Sequence, residues 1–78
     1  MWIRPREHKA VGQALAAIRK RARVTQQDLA KRLDKPQSFI SAYENGQRRI
    51  DLLEFMRISE ALRVDPRKAF AEVLSEKS

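Results

Sequence analysis

The side chains able to do chemistry in this chain are mostly cations: seventeen lysines and arginines stand against ten aspartates and glutamates, with one histidine and no cysteine. Catalysis is poorly served by that inventory. His8 lies near the start of a helical stretch, and the carboxylates are scattered among Lys and Arg at capping or solvent-facing positions. They form no acid–base pair and no metal-ligand cluster. No enzyme activity, cofactor or metal is expected. What the cations can do is meet phosphate. A formal charge of +7 in 78 residues, with a pI near 10.6, favours a polyanionic partner, nucleic acid first among them. The charge is also uneven: residues 1–25 carry +6, residues 26–50 carry +2 and residues 51–78 carry −1. That asymmetry points to a basic face rather than a uniform coat. Within it stand two runs, Arg19-Lys20-Arg21 and Gln47-Arg48-Arg49. The first also suits the negative end of a helix dipole.

The elements that must position these residues are helices. No stretch alternates with period two, so the fold class expected is all-α, with five helical segments in one small domain. A chain this short buries only about 60% of its unfolded surface, so the core is modest. Its lack of cysteine removes disulfide and thiolate-zinc support and favours a cytoplasmic location. No apolar run approaches the roughly 18–20 residues of a membrane span, and the opening residues lack the apolar stretch of a signal peptide, so no membrane partner is expected. Residues 1–7 form an arm, 8–74 the domain and 75–78 a polar tail. Trp2 and Ile3 either cover the core or belong to that arm.

The first helix is expected from His8 to Ala22, with Val11, Leu15, Ile18 and Ala22 as its inner stripe. Thr25 caps a second helix from Gln26 to Leu33, with Asp28 three residues on as its capping-box partner. Asp34-Lys35-Pro36 then breaks the pattern, and Pro36 opens a third helix to Asn45, closed by a left-handed Gly46. Ile40 and Tyr43 face inward. Asp51 caps a fourth helix with the stripe Leu52, Phe55, Ile58 and Leu62. Asp65-Pro66 starts a fifth, whose apolar face is Phe70, Val73 and Leu74.

The stretch from Thr25 to Gly46 meets three demands of two short helices crossing through a tight turn. Ala30 is small where the backbones approach, Asp34 tolerates left-handed angles, and Ile40 and Tyr43 supply the apolar contact. Here the sequence resembles the Cro/C1-type helix-turn-helix family, also called the XRE family, over roughly Val11 to Phe70. The most specific matches are Thr25, Gln26, Leu29 and Ala30, then Ser38, Ile40, Ser41 and Tyr43 to Gly46, then Leu52 to Val64. The resemblance implies a five-helix, lambda-repressor-like domain that inserts the helix 36–45 into the major groove of double-stranded DNA. It implies a small transcriptional regulator of the repressor kind.

By that resemblance the base-reading positions are Gln37, Ser38, Ser41 and Ala42. A Gln amide can donate to and accept from adenine at once, the serines discriminate less, and the Ala42 methyl can touch only a thymine methyl or leave room for water. Gln26, Asn45, Gln47, Arg48 and Arg49 match backbone-contacting positions. Arg19 matches either another phosphate ligand or one half of an internal ion pair with Glu44. Asp34 departs from the glycine usual at its position and places a negative charge near the DNA-facing turn. Phe39 is open between DNA, a partner and the first helix. Leu53, Met56, Phe70, Val73 and Leu74 exceed what one small core requires, which makes them candidates for a homodimer interface on a palindromic operator. Two other readings stand: an antitoxin that also masks a toxin protein, and a protein-interaction module that does not bind DNA.

Overall fold

A computed structural model describes the backbone from Pro5 to Lys77 and the side chains from His8 to Ser75; Trp2 and Ile3 lie outside the described residues. Five helices make up the fold: α1 (Pro5–Arg21), α2 (Gln26–Leu33), α3 (Gln37–Glu44), α4 (Leu52–Ala61) and α5 (Pro66–Lys77). There is no strand among the described residues. Helix α1 packs on α5 and α3, α2 on α3 and α4, and α4 on α5.

The starts of α2 and α4 follow from side chains that satisfy orphan N–H groups. Thr25 Oγ1 accepts from the Asp28 N–H at 3.0 Å, but Asp28, shorter than glutamate, makes no return bond among the described residues. The complete capping box is at α4 instead: Asp51 Oδ1 accepts from the Glu54 N–H (2.7 Å) while Glu54 Oε1 accepts from the Asp51 N–H (3.0 Å). Pro36 precedes α3 in an extended conformation (φ −71°, ψ 155°) rather than serving as its first residue. Helix α1 extends three residues further back than expected and includes Pro5, which the first turn of a helix tolerates because its N–H would have no partner there.

Four helices end in the same way. One or two residues past each end the chain turns left-handed (Arg23, φ 59°; Asp34, φ 55°; Gly46, φ 76°; Arg63, φ 58°), and the N–H there and the next one turn back to carbonyls of the last turn. Thus Arg23 donates to Lys20 and Val24 to Arg19, while Arg63 donates to Glu60 and Val64 to Ser59. Only Gly46 is a residue type for which this conformation is free of strain. An L side chain there costs about 1–2 kcal/mol, partly offset by the extra freedom glycine loses on folding. Replacing Arg63 by glycine is therefore expected to stabilise the domain by about 0.5–1 kcal/mol in urea unfolding. A loss of stability would show that the Arg63 side chain contributes more than its strain.

The core gathers Leu15 and Ile18 from α1, Leu29 and Ala30 from α2, Ile40 and Tyr43 from α3, Phe55, Ile58 and Leu62 around α4, and Ala69 and Val73 from α5. Three expectations need correction. Ala22 is exposed, because the left-handed turn at Arg23 swings Val24 into the place that would have continued the stripe. Leu52 is 76% exposed: in the first turn of α4 it overhangs a groove beside Val11, Phe55 and Phe70 instead of entering the core. On α5 the inner face is Ala69 and Val73, while Phe70 and Leu74 are about half exposed (53% and 51%).

Helices α1 and α3 approach so closely that a Cβ on Gly12 would lie 2.0 Å from the Tyr43 carbonyl oxygen. Glycine is thus required by backbone contact. Tyr43 itself is 1% exposed, its hydroxyl has no hydrogen-bond partner among the described residues, and burial pushes the phenol above its ordinary range.

Candidate nucleic-acid interface

The surface formed by the start of α2, the length of α3 and the loop after it carries the residues expected to meet DNA. Gln37 and Ser38 are exposed in the first turn of α3, whereas Ser41 and Ala42, one turn on, are half-buried. Asn45, Gln47, Arg48 and Arg49 are exposed along the loop, and Gln26 is half-buried at the first position of α2. Asp34 sits exposed in the turn, in the left-handed conformation expected of it.

A chain of side-chain bonds joins this surface to the interior. The Gln37 amide donates to Gln26 Oε1 at 3.1 Å, and Gln26 Nε2 donates to Glu44 Oε1 at 2.9 Å. Glu44 accepts a forked pair from Arg19, Nε to Oε2 at 2.7 Å and Nη2 to Oε1 at 3.1 Å. Arg19 spends its remaining fork on the Val24 carbonyl at 2.9 Å. Each link orients the next. Arg19 and Glu44 are both buried (8% and 9% exposed), and the bond to Glu44 raises the already high guanidinium pKa despite burial. Of the two roles open for Arg19, the geometry places it as an internal ion pair, its three forked donors turned toward the protein.

This chain was only partly legible in the sequence. The Arg19–Glu44 pairing followed from family resemblance, but the two glutamines are eleven positions apart on different helices, and no periodicity links them. Gly12 was missed. A glycine inside a helix reads as a weak position unless the partner backbone is known.

Phe39 is half-buried and packed against the core. It packs edge-on against Tyr43 with ring centroids 5.5 Å apart, Arg48 lies over its ring at 4.7 Å, and the Lys35 ammonium is 5.5 Å from its centroid. Of the candidate dimer residues, Leu53 (58%), Met56 (40%), Phe70 and Leu74 are exposed, whereas Val73 (6%) is part of the core. Among the described residues there is no group of His, Cys, Asp and Glu that could hold a metal, and no helix long and apolar enough to cross a membrane.

Two helices joined by a three-residue turn, the second presenting polar side chains outward and anchored through Ile40 and Tyr43, define a helix-turn-helix domain. The helix-turn-helix family profile matches residues 15–68. An XRE-family like protein from Pseudomonas syringae pv. tomato is 35% identical, with a TM-score of 0.79 over 92% of this chain and 88% of that one. The chain belongs to the Cro/C1-type (XRE) helix-turn-helix family of DNA-binding proteins. The restriction-modification controller protein C.AhdI from Aeromonas hydrophila is 28% identical (TM-score 0.75; 81% of this chain, 96% of that one). The clp gene regulator ClgR from C. glutamicum shares the fold at 21% identity (TM-score 0.86; 92% of each chain). No curated protein sequence matches the chain.

Proposed function

We propose that this protein represses transcription by binding double-stranded DNA as a two-fold dimer, with α3 in the major groove and the start of α2 across the backbone. The observation that carries this reading is the bonded chain Gln37–Gln26–Glu44–Arg19, which holds an exposed amide at the leading end of α3 from a buried anchor. A tethered glutamine keeps a second amide hydrogen and its carbonyl oxygen for a base edge, the pair that adenine requires. Ser38 adds a less selective contact, with Ser41 and Ala42 closer to the core. Backbone contacts come from Gln26 with the free N–H groups at the start of α2, and from Asn45, Gln47 and Arg49. Arg19 is not among them.

Dimerisation supplies a second copy of this short base-reading set. Leu53 and Met56 on α4, with Phe70 and Leu74 on α5, give an apolar surface for an isologous contact, and palindromic half-sites about one helical turn apart would match it.

Selection of bound duplexes from a random pool, followed by titration of Gln37→Ala, tests the proposal. The variant is expected to lose about 1–3 kcal/mol on the selected site and to relax preference at one base position. Equal loss on all sequences would remove Gln37 from base reading. Sedimentation showing only monomer at high micromolar concentration, with and without the selected duplex, would overturn the dimer.

A further inference from the structure

The loop between α3 and α4 treats its two arginines differently. Arg48 is occupied on several sides: Nη2 donates to Glu54 Oε2 (2.9 Å), and Nη1 to Glu54 Oε1 (3.0 Å) and to the Arg49 carbonyl (2.7 Å). Its guanidinium carbon also lies 4.7 Å from the Phe39 ring centroid. The Arg49 side chain, also exposed, makes no hydrogen bond or ion pair among the described residues.

Both ends of this clamp are anchored. Glu54 completes the capping box of α4 by accepting from the Asp51 N–H, and Phe39 stacks edge-on against the buried Tyr43. Arg48 therefore links α3, which presents Gln37, to the N-terminus of α4, which presents Leu53. Three of the five guanidinium donors are committed within the protein, and swinging the group out to a phosphate would give up a forked carboxylate and a ring contact together and leave Glu54 without its arginine. The mutual effect on titration runs the same way: each partner favours the charged form of the other, with the Glu54 carboxyl held below its ordinary range.

We propose that Arg48 is a positioning residue: by clamping Phe39 to Glu54 it sets the course of the loop, so that of the two arginines Arg49 is the one that meets the DNA backbone. The inference rests on the DNA-binding reading above and sharpens it. A planar fork and a stacking face are both needed, which lysine does not supply.

The test titrates a labelled duplex between 50 and 200 mM salt with the full chain and the variants Arg48→Ala, Arg48→Lys, Glu54→Gln, Arg49→Ala and Arg48→Ala/Glu54→Gln. Glutamine at 54 can still complete the cap, so that variant removes the charge and one arm of the fork from the clamp and spares the helix start. The first three variants are each expected to weaken binding about three- to tenfold without changing the salt slope, and the double variant to be no worse than either single. Arg49→Ala is expected to lower the slope by about 0.9. By charge alone Glu54→Gln would tighten binding, so the expected loss has the opposite sign. A shallower slope for Arg48→Ala, rescue by Arg48→Lys and tighter binding by Glu54→Gln would make Arg48 a phosphate ligand and overturn the proposal. Should the unaltered chain bind no duplex, the DNA-binding reading fails, and thermal unfolding then decides the clamp alone. A shared, non-additive fall in Tm of about 4 °C supports it. Unchanged or additive values overturn it.

Discussion

Arg19→Ala is expected to cost this domain about 3–5 kcal/mol, because it leaves the Glu44 carboxylate buried with only the Gln26 amide as partner. For 78 residues the whole folding free energy is about 4–12 kcal/mol, so the loss removes a large share of it. Arg19 also holds the Val24 carbonyl at the end of α1, and the same substitution frees that turn. The damage does not stop at stability. Glu44 orients Gln26, and Gln26 orients Gln37, so whatever protein remains folded should read its preferred site less selectively. A second variant separates charge from packing. Arg19→Met/Glu44→Met removes both charges while keeping side-chain volume, and should recover much of the loss, since an apolar pair of similar size is often as stable as a buried ion pair. Urea unfolding of the two variants measures both effects. An Arg19→Ala protein within about 1 kcal/mol of the parent would mean that water reaches and compensates Glu44.

Gly12→Ala is the second large effect, and its sign opposes the local rule. In an exposed helix interior, alanine is more favourable than glycine by about 0.8–1.0 kcal/mol. At Gly12 the added methyl would lie 2.0 Å from the Tyr43 carbonyl oxygen and 3.0 Å from both Cα and carbonyl oxygen of Glu44. The opposing atoms are backbone, so no rotamer change can clear them. Helices α1 and α3 must move apart, which also pulls Arg19 away from Glu44 and opens the core around Leu15 and Ile40. Overpacking ordinarily costs about 1–3 kcal/mol, and this contact belongs at or above the top of that range. A net loss of about 3 kcal/mol or a failure to fold is expected by circular dichroism. An alanine variant as stable as the parent would mean that the two helices do not touch through their backbones.

Much of the fold was written in local signals. Thr25 and Asp51 start helices because their side-chain oxygens reach N–H groups three residues on. Asp34 and Gly46 end them in the conformation their types allow. The periodic residues Leu15, Ile18, Phe55, Ile58 and Leu62 are buried as their spacing required. The errors came at the ends of stripes. Leu52 has the right phase, but among the described residues no neighbouring element covers it, and on α5 the buried face is Ala69 and Val73, one position off Phe70. Phase depends on the chain itself; coverage depends on what lies opposite.

The five helices and the helix-turn-helix from Thr25 to Gly46 could be read from the chain alone, because caps and periodicity act between residues close along it. Which polar side chains are committed inward depends instead on how the helices pack. Arg19 and Glu44 are 25 positions apart, Gln26 and Gln37 are 11 apart, and Phe39 and Arg48 belong to different elements. A bond between them exists only once the helices have packed. For the same reason Gly12 reads as a weak helix position until α3 is laid against it, and the two adjacent arginines Arg48 and Arg49 are alike in type but not in what they hold.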